Sequence, residues 1–307
     1  MKSGSKLESI LTKGVFAVTA QLDLPKESDV SMIETRAEWL KENVDAIGVP
    51  DNQHAVVRIC SMAGAAVLVR MGVEPIMHVV TRDRNRIAMQ SDLLGATALG
   101  IKNVFCVTGD HQSLGNQVDS KNVYDLDSVQ LIDCFRTMRD KGTFLGGTER
   151  IERELGLFIG GAANPFADPL ALHVIGLAKK ITAGVDFIQT QSVFDMDRFK
   201  EWMGMVRDRG LHENVYIMAG VTPLRSAEMA RSMNERMPGM TIPETLIDRM
   251  AKAQKPDEEG IRICVDHIEE LKEVPGLRGL HITAVGWEDR IGQIVEMAGL
   301  LPRPMAT

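Results

Sequence analysis

Eight times along this chain a short apolar run rich in β-branched residues is followed by a stretch with helical spacing. That recurrence limits the fold more than any single motif does. The runs fall at residues 15–20, 45–49, 73–80, 102–111, 157–163, 185–191, 215–219 and 279–284. The fourth, KNVFCVTGDH, reads as a buried strand that runs out into Gly109 and Asp110. Helical patterns follow at 29–42, 53–71, 83–99, 127–140, 195–209, 224–236 and 288–298, and after residue 168 through Ile181, where Asp168 reads as an N-cap and Pro169 as the first helical residue. Repeated strand–helix units with right-handed crossovers over 307 residues are the pattern of a closed barrel. The expected fold class is therefore α/β, a (β/α)8 TIM barrel, with residues 1–307 forming a single catalytic domain. The rival is a doubly wound open sheet. The GxGxxG fingerprint that would favour it after the first strand is missing, and so is a Walker A loop. Three segments interrupt the repeat: loop insertions at about 111–126 and 141–156, and a helical excursion at about 243–273 that delays the last strand.

Composition narrows the function. The chain is 44% hydrophobic and 25% charged, as expected for a globular protein with a large core. No apolar run reaches the roughly 18 residues needed to span a membrane. The first residues, MKSGSKLESILTKG, lack the apolar stretch of a secretory signal, so the expected location is cytoplasmic. Cys60, Cys106, Cys134 and Cys264 are scattered, with no CxxC pair to suggest zinc or a disulfide framework. A net charge of −7 argues against nucleic acid as a partner.

On a barrel of this kind the residues that close each strand face one pocket. Here they are Gln21 and Asp23, Asp51 and Asn52, His78 and Arg82, Asp110 and His111, Asn164, Gln189 and Gln191, Thr222, and His281. The set holds amides and single carboxylates. It contains no HExxH, no Ser-His-Asp order and no clustered metal ligands, so no metal is expected. Amides with one or two carboxylates suit a flat heterocycle of alternating donors and acceptors, such as a pterin or a flavin. For any one of these residues the competing reading is a solvated strand end.

Six motifs then carry a resemblance: VTAQLDLPK (18–26), TRDRNRIAMQSDLLGA (81–96), VTGDH (107–111), AANPFADP (162–169), AGVDFIQTQSVFD (183–195) and HITAVGWED (281–289). Across residues 15–300 the chain resembles the methylenetetrahydrofolate reductase family in its short form, without a regulatory domain. The resemblance implies a flavoprotein barrel, with FMN or FAD, that passes a hydride to 5,10-methylenetetrahydrofolate and yields 5-methyltetrahydrofolate. It implies that Asp110 lies between flavin and pterin, that Gln191 hydrogen-bonds the pterin, and that His78 and Lys180 contact flavin; Gln21, Gln189 and His281, from the strand ends, are further substrate-binding candidates. Thr108 falls where longer members carry an arginine, Asn164 where they carry a flavin-stacking tyrosine, and His173 where an acidic residue meets the adenosine end. Arg82, Arg84 and Lys180 are candidates for the flavin phosphate or the glutamate tail of the substrate.

The departure that matters most is Gln21, where the family has the glutamate that acts as general acid. Glutamine keeps the hydrogen bonds and loses the proton. The chain is then an inactivated reductase, a reductase using another acid such as Asp23, or a methyltransferase moving a methyl group between a corrinoid protein and tetrahydrofolate without flavin. A non-catalytic folate-binding subunit is the reading from a different class. The resemblance leaves room for a partner subunit, a corrinoid protein partner or a homo-oligomer.

Overall fold

Strand β1 (Ala17–Gln21) opens a sheet that ends by pairing back onto it. The others are β2 (Ala46–Val49), β3 (Pro75–Val80), β4 (Asn103–Val107), β5 (Phe158–Ala163), β6 (Phe187–Ser192), β7 (Tyr216–Val221) and β8 (Leu277–Ile282). All pairings are parallel, each strand bonds to the next, and β8 closes on β1 with Thr19 opposite His281. The computed structural model describes residues 1–147, 149–236 and 240–304, without the side chain of Arg236. Thr148, residues 237–239 and residues 305–307, which belong to the expected 1–307 domain, lie outside the described residues.

Eleven helices are described: α1 (Lys6–Thr12), α2 (Ser31–Leu40), α3 (Ser61–Arg70), α4 (Arg86–Ala98), α5 (Ser128–Lys141), α6 (Leu170–Ala183), α7 (Met196–Asp208), α8 (Ala227–Arg236), α9 (Glu244–Lys252), α10 (Pro256–Lys272) and α11 (Ile291–Met297). None is long and apolar enough to cross a membrane. Alternation along the strands divides the core in two. Val18, Ala20, Ile47, Val49, Met77 and Val79 point outward into the layer beneath the helices. Ala17, Ala46, Ile76, Phe105, Phe158, Phe187 and Met218 point inward and fill the barrel.

The floor of the barrel is sealed by α1, an element missing from the sequence reading. Leu7, Ile10 and Leu11, spaced to share one helix face, join the inward-facing cluster. Ser5 caps this helix by accepting from the Glu8 amide at 3.0 Å, and the Glu8 carboxylate accepts from the Ser3 and Gly4 amides at 2.8 and 3.0 Å. Glu74, just before β3, accepts from the Leu7 amide at 2.8 Å and the Asn103 side chain at 3.0 Å, which ties α1 to the sheet.

Two expectations need correction, and a third gains detail. The helix expected over 53–71 begins only at Ser61. Asn52, His54 and Ala55 adopt positive φ of 43°, 56° and 57°, so Gln53–Ala55 is a 3₁₀ turn followed by an extended segment. Pro169 is the N-cap of α6, without a side-chain cap, and Asp168 instead pairs with Arg198 of α7. The excursion at 243–273 is two helices, α9 and α10, the second starting at Pro256, where a proline's missing N–H costs nothing.

Candidate active site at the carboxyl ends of the strands

A cavity of about 460 Å³ opens at the carboxyl ends of the strands, within the size range of ligand and cofactor sites. Its polar lining comes from seven strands or the loops that follow them. Gln21, His78, Thr108, Asp110, Gln189, Gln191 and His281 all reach it, with Lys180 arriving from α6. Of the expected site residues, Asp23, Arg84, His111 and His173 lie outside the cavity lining, and so does Asn164. Its side-chain oxygen accepts from the Phe166 amide at 2.9 Å, so it is spent on the local turn through Pro165.

At the base of the cavity lies a buried polar layer. Thr19 Oγ1 stands 3.0 Å from His281 Nδ1, bonds to the Leu280 carbonyl at 3.1 Å and accepts from Gln189 Nε2 at 3.3 Å. His78 packs against Phe105, with ring centroids 4.7 Å apart, and its Nε2 is buried without a partner. Burial, with His281 nearby, pushes the His78 pKa down to about 3, and burial pushes His281 down to about 4. Both imidazoles are neutral at neutral pH. A buried ring nitrogen left unpaired on a cavity wall is a group that a ligand can satisfy.

The rim holds the more exposed groups. Gln21 Nε2 donates to Asp23 Oδ1 at 2.9 Å and to Gln53 Oε1 at 3.3 Å. Gln191 is exposed at the end of β6, where the β6–β7 register slips: the four residues from Gln189 to Ser192 face the three from Met218 to Gly220. Thr190 stabilises this bulge. Its hydroxyl donates to the Gln191 carbonyl at 2.8 Å and accepts from the Gly220 amide at 3.0 Å. Glycine at 220 is required by close approach, because a Cβ there would lie 2.4 Å from the Thr190 carbonyl oxygen.

Asp110 follows Gly109, whose φ of +88° turns the chain out of β4 toward the cavity. Its Oδ2 lies 3.2 Å from His54 Nδ1. The hydrogen bond from His54, with Arg82 also near, holds the Asp110 carboxyl below its usual range. An ionised carboxylate only accepts, so Nδ1 of His54 carries the hydrogen. His54 sits on the 3₁₀ turn with left-handed residues on both sides of Gln53. Each such non-glycine residue costs about 1–2 kcal/mol, and the turn is held by Asn116, which donates to the Ala55 carbonyl and accepts from the Val57 amide. Sequence reading missed His54 and Gln53. The Pro50-Asp51-Asn52 turn signal was visible, but the Ala- and Val-rich stretch after it read as helix.

The cationic candidates are largely committed to the wall. Arg82 bonds Asp83 at 2.7 Å, the Asp110 carbonyl at 3.0 Å and the Asn52 carbonyl at 3.1 Å. Arg84 pairs with Asp51 at 2.6 Å and with Asp92 at 2.9 Å. Lys180 donates to the Ala162 carbonyl, and burial lowers its pKa. The Thr108 hydroxyl accepts from the Ser128 amide at 3.1 Å. The amides, the unpartnered His78 nitrogen and the apolar side chains of Val80, Phe105 and Val107 on the wall therefore fit a planar heterocycle, flavin or pterin. For a phosphate, Lys180 is the one lysine or arginine outside an ion pair among the described residues that line the cavity.

Comparison with known proteins gives a consistent result. The sequence pattern of the family described as methylenetetrahydrofolate reductase matches residues 6–299. Methylenetetrahydrofolate reductase 2 of Schizosaccharomyces pombe is 26% identical over 248 residues, covering 74% of this chain and 36% of its own. A probable methylenetetrahydrofolate reductase (NADPH) of Caenorhabditis elegans is 22% identical over 260 residues, covering 82% of this chain and 36% of its own. The chain thus spans little more than a third of these relatives. Among solved structures, an uncharacterized protein from Clostridium thermocellum that binds two copies of 5-methyl-5,6,7,8-tetrahydrofolic acid shares the fold, with a TM-score of 0.65, 15% identity, and coverage of 96% of this chain and 98% of that one.

Proposed function

Because the chain belongs to the methylenetetrahydrofolate reductase family, we propose that its barrel mouth forms 5-methyltetrahydrofolate by reducing 5,10-methylenetetrahydrofolate. The observation that carries this reading is one cavity whose lining includes the amides of Gln21, Gln189 and Gln191 together with the ionised Asp110. Primary amides match the donor and acceptor edge of a pterin and would orient it. Asp110 would stabilise by charge the iminium cation formed when the five-membered ring of the substrate opens. His281, braced by Thr19, would offer its remaining nitrogen to the ligand from below.

FMN or FAD is part of the proposal. His78, Thr108 and Lys180 would hold it, and when bound it would supply the hydride. The likeness to a relative named for NADPH makes a reduced nicotinamide the first electron donor to test. A cytoplasmic setting, and a second copy or partner subunit at the mouth, belong to the same reading.

A second reading has its own support. Gln21 cannot donate a proton, and Lys180 and Thr108 spend hydrogen bonds inside the wall. Methyl transfer from a methylated corrinoid protein to tetrahydrofolate needs neither ring opening nor flavin. The test is to assay the purified chain with 5,10-methylenetetrahydrofolate, a reduced nicotinamide and added FMN or FAD, measuring 5-methyltetrahydrofolate by mass spectrometry. Product formed only with flavin supports reduction. If no flavin binds and product forms only from methylcobalamin with tetrahydrofolate, reduction is ruled out and methyl transfer stands.

A further inference from the structure

Either reaction must move a proton at a folate nitrogen, and the groups nearest the cavity are poorly suited to it. Gln21 carries none to give. Asp110 is held ionised, and His78 and His281 are sealed neutral at the base. Asp51 is bound to Arg84 and to the Val80 amide, and Lys180 to the Ala162 carbonyl. Resting on the folate reading above, we propose that His54, held by Asp110, is the acid–base residue of this site and moves the proton that Gln21 cannot.

The geometry favours it on three counts. First, the His54 side chain lines the cavity and is 47% exposed, so it can exchange protons with water. Second, Asp110 fixes Nδ1 at 3.2 Å, leaving Nε2, which bonds to no described residue, to act on a ligand. Third, His54 adjoins Gln53, which touches Gln21 at 3.3 Å. Two consecutive residues of one strained turn therefore bridge the amide at the end of β1 and the carboxylate beyond β4. The charged and titratable groups around the pair are Asp110 itself, Arg82, Asp83 and Tyr124 behind it, and His111 beside the 3₁₀ turn (Gln112–Leu114) that packs on the His54 segment.

In the reductive reaction the bond between N10 and the methylene carbon breaks, and its electron pair goes to N10. The imidazolium Nε2–H of His54 delivers a proton there, leaving the methylene as an N5 iminium beside Asp110. A hydride donor then supplies two electrons and a hydrogen to that carbon, and His54 is reprotonated from water. In methyl transfer to tetrahydrofolate, the N5 lone pair instead takes the methyl group, the cobalt–carbon bond of the methylated corrinoid breaks with its electron pair left on the corrinoid as cob(I), and the neutral imidazole takes the N5 proton.

The test uses His54→Asn and His54→Gly, because asparagine and glycine accept the left-handed backbone at this position. Product formation is measured across pH, with 5-methyltetrahydrofolate binding followed by calorimetry. The expected result for His54→Asn is a kcat about 100-fold lower, affinity changed by less than about threefold, and the loss of one limb of the pH–rate profile. Added imidazole should restore part of the activity of His54→Gly. A folded His54→Asn with kcat within about threefold of the wild type and an unaltered profile overturns the assignment, as does a folate-binding His54→Gly that imidazole does not rescue. A wild-type chain that forms no product from either donor overturns the functional reading, and this assignment with it.

Discussion

At position 21, where the resemblance implies an acid, a neutral amide donates to Asp23 at 2.9 Å. Replacing it by a carboxyl should restore the acid. A second carboxyl this close to Asp23 would disfavour two negative charges side by side, which favours the protonated form of the new group. Gln21→Glu is therefore expected to raise the rate of methylene reduction about tenfold or more, read by product formation. An unchanged or lower rate would argue that position 21 is not where the proton is needed. Beneath it, His78 and His281 make a second prediction. Their folded pKa values, about 3 and about 4, lie below the ordinary value of 6.5. The unfolded chain therefore binds protons first, and the stability these two groups contribute is complete above about pH 6.5 and drains away as the pH falls toward 4. Chemical denaturation across that range should show a loss on the order of a few kcal/mol. His78→Gln should flatten the acid side of the curve, and an equally steep curve would count against a neutral, sealed imidazole.

Among the elements, the β6 bulge does the most to shape the mouth. Thr190→Val removes the hydroxyl that links the Gly220 amide to the Gln191 carbonyl. It should cost about 1–3 kcal/mol in denaturant unfolding and weaken folate binding, since Gln191 would lose its fixed exit from the strand. Unaltered binding in a destabilised variant would mean that the bulge serves packing alone. This element also shows where the sequence stops being informative. Gln189, Thr190 and Gln191 read as a regularly alternating strand, and the bulge follows from how β6 meets Gly220 of its neighbour, a contact that no local pattern encodes. The eight strands were legible because their β-branched runs alternate with 3.6-residue periodicity, and Asp110 and Gln191 were legible as polar endings to them. The His54 turn was not, because left-handed residues enforced by Asn116 from a distant loop leave an Ala- and Val-rich sequence that scores as helix. The α1 seal carried a readable signal in Ser5, Glu8 and the Leu7, Ile10, Leu11 spacing, but a short polar leader gives little hint that it packs under a barrel.

For the molecule as a whole, closure of β8 onto β1 leaves the barrel sheet without a free edge among the described residues, and α1 draws the N-terminal segment into the inner core. We propose that the barrel behaves as a single catalytic domain, which predicts one cooperative thermal transition by calorimetry; two separated transitions would split it. The chain spans 36% of the Schizosaccharomyces and Caenorhabditis relatives, so this behaviour concerns the barrel alone. The account depends on amides and one carboxylate at the barrel mouth gripping a reduced pterin. The most direct measurement is calorimetric titration of 5-methyltetrahydrofolate into the wild-type chain and into Gln191→Ala. The account predicts saturable binding to the wild type and an affinity about tenfold lower or worse in the variant, the loss expected when a hydrogen-bonding side chain leaves a polar ligand unpaired. No binding to the wild type, or equal affinity in both, would contradict it.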